Sequence, residues 1–256
     1  MRVFVFKVKW WYVFVVLAVA FISVVPKIRT PLIVSVMSRG RLVPIYDVHT
    51  TEKRVAISFD ATWGTELTDE ILEILETHQI TTTFFLAGNW VDKHPDYVVK
   101  IAAAGHEIGN HSYSHPHMNS LSEQGIAYEL QKNEHMIKDL TGQRTTLFRP
   151  PFGEYNNQVI TVASSLGYHT IQWSVDSLDW KNLSSNQIYD RVMSQIKPGS
   201  IVLFHNAAPG TPGAIRRLIP DLLAQGYEIV KVSELLHQGD FYIDHAGTQR
   251  PGKGGN

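Results

Sequence analysis

The sequence contains no cysteine. Disulfides, thiolate metal ligands and a cysteine nucleophile are thereby excluded, and the lack of thiols is compatible with an exported bacterial protein. An excess of charge is also missing. Lys and Arg number 23 against 24 Asp and Glu, a formal net charge of −1, so nothing in the composition points to nucleic acid. No internal repeat is visible. The apolar run at the start, Trp10 to Val25, has 16 residues, fewer than the ~20 of an ordinary bilayer-crossing helix.

That run is nevertheless the targeting signal. Arg2, Lys7 and Lys9 make a basic flank before it, and Trp10, Trp11 and Tyr12 suit the membrane interface. Residues 1–26 read as a signal anchor. Ala18-Val19-Ala20 resembles a signal-peptidase site, which leaves a signal peptide cleaved after Ala20, and a secreted product, as the other reading. Either places the rest of the chain outside the cytoplasm, because the positive flank stays inside.

About 225 residues remain, enough for one domain of α/β-barrel size, and 44% of the sequence is apolar. Residues 27–53, with Pro31, Pro44 and Gly40, read as a linker. Apolar strands then alternate with amphipathic helices. Strands are expected at 54–59, 81–86, 106–109, 146–149, 169–175, 200–204 and 227–231. Helices are expected at 68–78, 95–104, 122–141, 157–166, 185–196, 213–225 and 233–237. Gly105, Gly142, Gly167 and Gly226 each follow a helical run, where a C-cap glycine belongs. Such alternation implies parallel strands with crossover helices, and seven strands favour a closed or nearly closed barrel. The domain is bounded at 54–238, and the polar, Gly-rich stretch 239–256 reads as a disordered tail.

In a βα barrel the reactive residues sit at the carboxyl ends of the strands. Ionisable residues recur there: Asp60 after Val55 to Phe59, His111 after Ile108-Gly109, Arg149 after Thr146 to Phe148, Asp176 and Asp179 after Ile171 to Val175, and His205 after Ile201 to Phe204. His111 and His115 have the i, i+4 spacing that on a helix aims two imidazoles at one ion. Arg149 precedes a rigid Pro150-Pro151-Phe152-Gly153 turn and could clamp a carboxylate. Asp176 or Asp179 could orient His205 and raise its pKa, which suits a general acid.

Five blocks, in order, carry a resemblance: Ser58-Phe59-Asp60, His111 to His115, Arg149 to Gly153, Asp176-Ser177-Leu178-Asp179-Trp180, and Leu203-Phe204-His205. Together they resemble the polysaccharide deacetylases of carbohydrate esterase family 4, the NodB-homology domain, over about residues 50 to 237. The Phe-Asp-Ala-Thr-Trp-Gly variant at 59–64 looks most like the sporulation-associated branch of spore-forming Gram-positive bacteria. The resemblance implies a distorted (β/α)7 barrel, here behind an N-terminal membrane-targeting helix. It implies hydrolysis of N-acetyl groups from peptidoglycan or another N-acetylated glycan, assisted by a divalent metal, Zn or Co. It makes Asp60 the general base, Arg149 its orienting partner, His111 and His115 metal ligands, and His205 the general acid tuned by Asp179. Trp180 and Leu203 would line the acetyl-methyl pocket, and the Phe152 backbone N–H would help hold the oxyanion.

One block departs from the family. Its first motif normally carries two adjacent aspartates, a base and a metal ligand, and the second place here is Ala61. Three outcomes are open: Asp60 turns onto the metal; Glu66 or Asp69 completes the sphere; or the domain binds metal poorly and has little activity. In the last case it is a catalytically impaired homologue that binds glycan or a cell-wall partner.

Overall fold

The computed structural model describes residues 40–252. The expected signal anchor at 1–26 and the first part of the linker lie outside the described residues. Among the described residues no helix is long and apolar enough to cross a membrane.

The central strand, β2 (Arg54–Ala61), is buried at every residue after the first. Its side chains alternate between two cores, as the period of a strand requires. Val55, Ile57, Phe59 and Ala61 join a cluster shared with the surrounding helices. Ala56 belongs to a second cluster with Phe85, Leu147 and Ile201. β2 is flanked by β3 (Thr83–Leu86), β8 (Ile201–His205) and β9 (Glu228–Val230), all parallel to it. Outward from β3 lie β4 (Glu107–Asn110), β5 (Leu147–Phe148) and β6 (His169–Thr170); outward from β8 lies β7 (Val175–Asp176). The result is a curled parallel half-barrel with β6 and β7 at opposite ends of the strand order.

The helices fall close to the expected spans: α1 (Thr68–Thr77), α3 (Pro95–Ala103), α4 (Glu123–Thr141), α5 (Asn157–Ser165), α6 (Ser185–Met193), α7 (Thr211–Ala224) and α8 (Val232–Leu235). The four glycines after helical runs all adopt positive φ, from 71° to 87°. α2 (Gly88–Lys93) was not expected. Six residues are too few to display a helical apolar period.

Four expectations need correction. Asp60 does not follow its strand but lies within it, because pairing with Phe85 and His205 carries the ladder to the end of β2. The expected strand 169–175 is two strands. β6 pairs with β5 and β7 with β8, so residues 171–174 must cross between the two ends of the sheet. The segment read as linker lines this crossing, with Ile45 bridging Ile171 and accepting a 2.7 Å hydrogen bond from the Gln172 amide.

The stretch read as a disordered tail is also structured as far as residue 252. β10 (Phe241–Ile243) and β11 (Thr248–Pro251) form an antiparallel pair, and β11 runs parallel to β1 (Asp47–Val48). Gln249 is fully buried, and its side-chain amide grips both the N–H and the carbonyl of His237. These few anchors hold a segment whose polar composition argued for disorder.

Candidate active site

The five ionisable positions converge at the carboxyl ends of the parallel strands: Asp60, His111, Asp176 with Asp179, and His205 line one cleft of about 560 Å³, and Arg149 lies buried behind Asp60. Asp60 is 5% exposed at the end of β2. Its Oδ1 accepts a 2.7 Å hydrogen bond from Arg149 Nη1, and its Oδ2 lies 3.6 Å from His111 Nε2. Arg149 is fully buried. Its Nη2 donates to Ser58 Oγ at 2.9 Å and to the Gln172 carbonyl at 3.2 Å, and its guanidinium lies 4.0 Å from the centre of the Phe85 ring. A guanidinium so enclosed is compensated by its carboxylate, and removing either partner would strand a buried charge. Burial pushes the Asp60 carboxyl up, but its neighbours, the charge and hydrogen bond of Arg149 foremost, outweigh it and hold it below its ordinary value. Asp60 is therefore an ionised acceptor at neutral pH.

His205, its register partner on β8, is driven the other way. Asp179, fully buried, takes the His205 Nδ1 on Oδ1 and the His205 amide on Oδ2, each at 2.7 Å. Thr211 donates to the same carboxylate at 2.6 Å. Burial alone would lower the His205 pKa, but the hydrogen bond and charge of Asp179, with Asp60 and Asp176 behind it, raise it above 6.5. Asp176 makes no hydrogen bond to the imidazole. Its Oδ1 accepts from the Leu178 amide and its carbonyl from Arg191, so of the two aspartates Asp179 is the one that orients His205.

His111 and His115 meet, with ring centres 4.9 Å apart, but not along a helix. Residues 111–117 form a loop in which Ser112 and His115 take left-handed φ values of 64° and 56°. The His111 Nδ1 lies 2.7 Å from the Arg149 carbonyl, which can only accept, so Nδ1 carries the proton and the Nε2 lone pair faces Asp60. His115 is pressed edge-on to Phe152 at 4.5 Å. Burial, and then His111, lower the His115 pKa to about 4, and burial lowers that of His111. Both imidazoles are neutral, as metal ligands must be.

A third ligand is not there. Among the described residues no three His, Asp or Glu side chains are grouped to hold a metal. Ala61 is fully buried and has no donor atom. Glu66 accepts from the Thr65 amide, and Asp69 is taken by Lys100 at 2.5 Å and Tyr97 at 2.9 Å; neither lines the cleft. Asp60 is held by Arg149. Catalytic zinc sites keep three protein ligands and one open position. Two imidazoles fall short of that, so the residues present do not fit a resident catalytic metal.

The remaining expected residues also reach the cleft. Leu203 is a buried part of its wall, whereas Trp180 and Phe152 are each 55% exposed at its mouth, and Phe152 has a left-handed φ of 60°. Four supporting residues were not assigned a role from the sequence. Ser58 and Thr211 are small hydroxyls on Arg149 and Asp179. Asn206 ties the loop after β2 through the Gly64 carbonyl. Glu129 of α4 accepts from the amides of Tyr113 and Ser114 and from the Ser114 hydroxyl, which fixes the histidine loop. Only the last could have been suspected, as a carboxylate on an otherwise core-facing helix position.

Residues 47–171 match the Polysaccharide deacetylase family model. The chain is 36% identical over 195 residues to the uncharacterized protein YlxY of Bacillus subtilis (strain 168), covering 76% of this chain and 61% of the relative. It spans somewhat less than two thirds of that relative's length. It is 32% identical to the peptidoglycan-N-acetylmuramic acid deacetylase PdaA of the same organism, covering 76% of each chain. Among solved structures, a mutant of BA3943 from Bacillus anthracis, described as a carbohydrate esterase family 4 pseudoenzyme with restored enzymatic activity, superposes with a TM-score of 0.73. It shares 41% identity, over 75% of this chain and 70% of that one. A curled parallel sheet that brings Asp60, His111, Asp179 and His205 to one cleft, and relatives alike over three quarters of the sequence, agree: this chain belongs to the polysaccharide deacetylase family, carbohydrate esterase family 4.

Proposed function

We propose that the cleft receives an N-acetylated sugar of cell-wall glycan and that the chain is a polysaccharide N-deacetylase slowed by the loss of a metal ligand at Ala61. One observation carries this: Asp60 and His205, paired on adjacent strands, face one cleft with protonation preferences driven apart. Such a pair supplies a base and an acid at the same pH. A water attacking the acetamide carbonyl gives its proton to Asp60. The C–N bond then breaks, the sugar nitrogen takes a proton from His205, and acetate leaves. Arg149 keeps Asp60 ionised and oriented, and Asp179 favours the charged form of His205. The Phe152 N–H is assigned to the oxyanion, and Leu203 and Trp180 to the acetyl methyl. Zn or Co would have His111 and His115 as protein ligands, and would be held weakly.

A second reading, glycan binding without turnover, is favoured by Ala61 itself and by the likeness to a pseudoenzyme. The family resemblance of the 59–64 motif supports a place in sporulation, and the basic flank and apolar run at 1–26 support an extracytoplasmic domain tethered to the membrane.

Acetate release from N-acetylated peptidoglycan and chitooligosaccharide, with and without Zn or Co, tests the proposal on wild type, Ala61→Asp and His205→Ala. The expected order is Ala61→Asp above wild type above His205→Ala, with Ala61→Asp also binding metal more tightly by calorimetry. Equal metal affinity in wild type and Ala61→Asp would sink the role given to Ala61. No acetate from wild type, with glycan still bound, selects the second reading.

A further inference from the structure

We infer that Trp63 is a stacking platform for the sugar adjoining the acetylated one, so that the cleft reads a glycan chain rather than a single residue. The inference rests on the glycan reading of the cleft and adds a subsite to it.

Trp63 is 65% exposed, the most exposed of the large hydrophobic side chains among the described residues. Leaving an indole in water forfeits the stabilisation its burial would give. A loosely held surface loop could explain that, but this loop is not loose. The Gly64 carbonyl accepts from the Trp90 indole N–H at 2.7 Å and from the Asn206 side-chain amide at 2.9 Å. The backbone N–H of Asn206 in turn donates to the Asp60 carbonyl at 3.2 Å. Gly64 has a φ of +54°, a left-handed value that favours glycine, so the turn that presents Trp63 is specified. An exposed indole on an anchored turn is pre-organised for a ligand.

Its place says which ligand. Trp63 lines the same cleft as Asp60 and His205. Its ring meets His115 at 5.5 Å and 65°, a tilted contact that leaves most of the indole open. The other two aromatics at the mouth are already engaged: Phe152 stacks on His117 at 4.6 Å, and Lys181 sits 4.9 Å from the centre of the Trp180 ring. Trp63 therefore offers the freest flat apolar face. A pyranose has one face of C–H groups and a rim of hydroxyls, which suits an indole face bordered by water. A sugar seated on Trp63 lies beside the reacting centre, not in it, so its contribution is to positioning.

The test is calorimetric titration of the full chain with N-acetylglucosamine and with its β-1,4-linked tetramer, in wild type, Trp63→Ala and Trp63→Phe. Wild type is expected to bind the tetramer more tightly than the monomer. Trp63→Ala should weaken the tetramer about tenfold, the scale of one aromatic stacking contact, and leave the monomer unchanged. Trp63→Phe should recover most of the loss, and where acetate release is measurable Trp63→Ala should raise KM with kcat unchanged. A Trp63→Ala protein that binds the tetramer like wild type overturns the platform alone. An equal loss for monomer and tetramer also overturns it. A wild type that binds neither sugar overturns the glycan reading, and the platform with it.

Discussion

At the residue scale the site works by opposition. Arg149 and Asp179 are both buried, and each sets the charge of the group it touches. Asp179→Asn is expected to lower the His205 midpoint, followed by NMR titration of the imidazole. The sign of the stability effect follows. A histidine whose folded pKa exceeds its ordinary 6.5 adds stability that is fully present below 6.5 and is lost as pH rises through the folded value. Asp179→Asn should therefore lose more stability relative to wild type at pH 5 than at pH 9, in denaturant titrations at both. An unchanged gap between the two pH values would show that Asp179 does not charge His205. These ionisable residues were legible because each ends an apolar run. Their small supporters, Ser58 and Thr211, were not: a hydroxyl in a sequence says nothing of the carboxylate or guanidinium it will meet.

At the element scale the two histidines teach a different lesson. Their spacing suggested a helical turn, yet the pair is made by a loop with two left-handed residues. What replaces the helix is α4, whose Glu129 accepts three hydrogen bonds from residues 113–114. Glu129→Ala should cost about 1.5–3 kcal/mol, the scale of hydrogen bonds to a charged group, by removing the carboxylate that these part-buried donors share. It should also speed amide exchange at Tyr113 and Ser114 ahead of the rest of the domain. Exchange no faster there than in the barrel strands would mean that the loop holds itself. The helices other than α2 were readable within a few residues, because amphipathic periods and terminal glycines are local signals. The split of 169–175 into β6 and β7 was not, since it depends on which strands are free to pair at the two ends of the sheet.

At the scale of the whole molecule, the described parts of both stretches flanking the alternating region, 40–53 and 239–252, proved structural. Composition read 239–256 as disordered, but a buried Gln249 and a largely buried Phe241 give it purchase. Phe241 packs against His169 at 5.8 Å, next to the end of the curled sheet. Ending the chain at Gly239 should lower stability by at least ~3 kcal/mol, the scale of losing one buried aromatic, and should reduce Tm in a thermal melt. A melt unchanged by that deletion would return the segment to the status of a tail. Pattern reading fails here because few residues carry the docking, and they are spread through polar sequence.

The pairing of Asp47 with Thr248 has a temporal consequence. These residues flank the whole half-barrel in sequence, and contacts so distant form slowly because a large loop must close first. Synthesis delivers β1 ahead of every strand of the half-barrel and β11 after all of them. β1 therefore lacks its β11 partner for as long as any part of the half-barrel is still to be made, and the small sheet can assemble only once all the strands of the large one are available to pair.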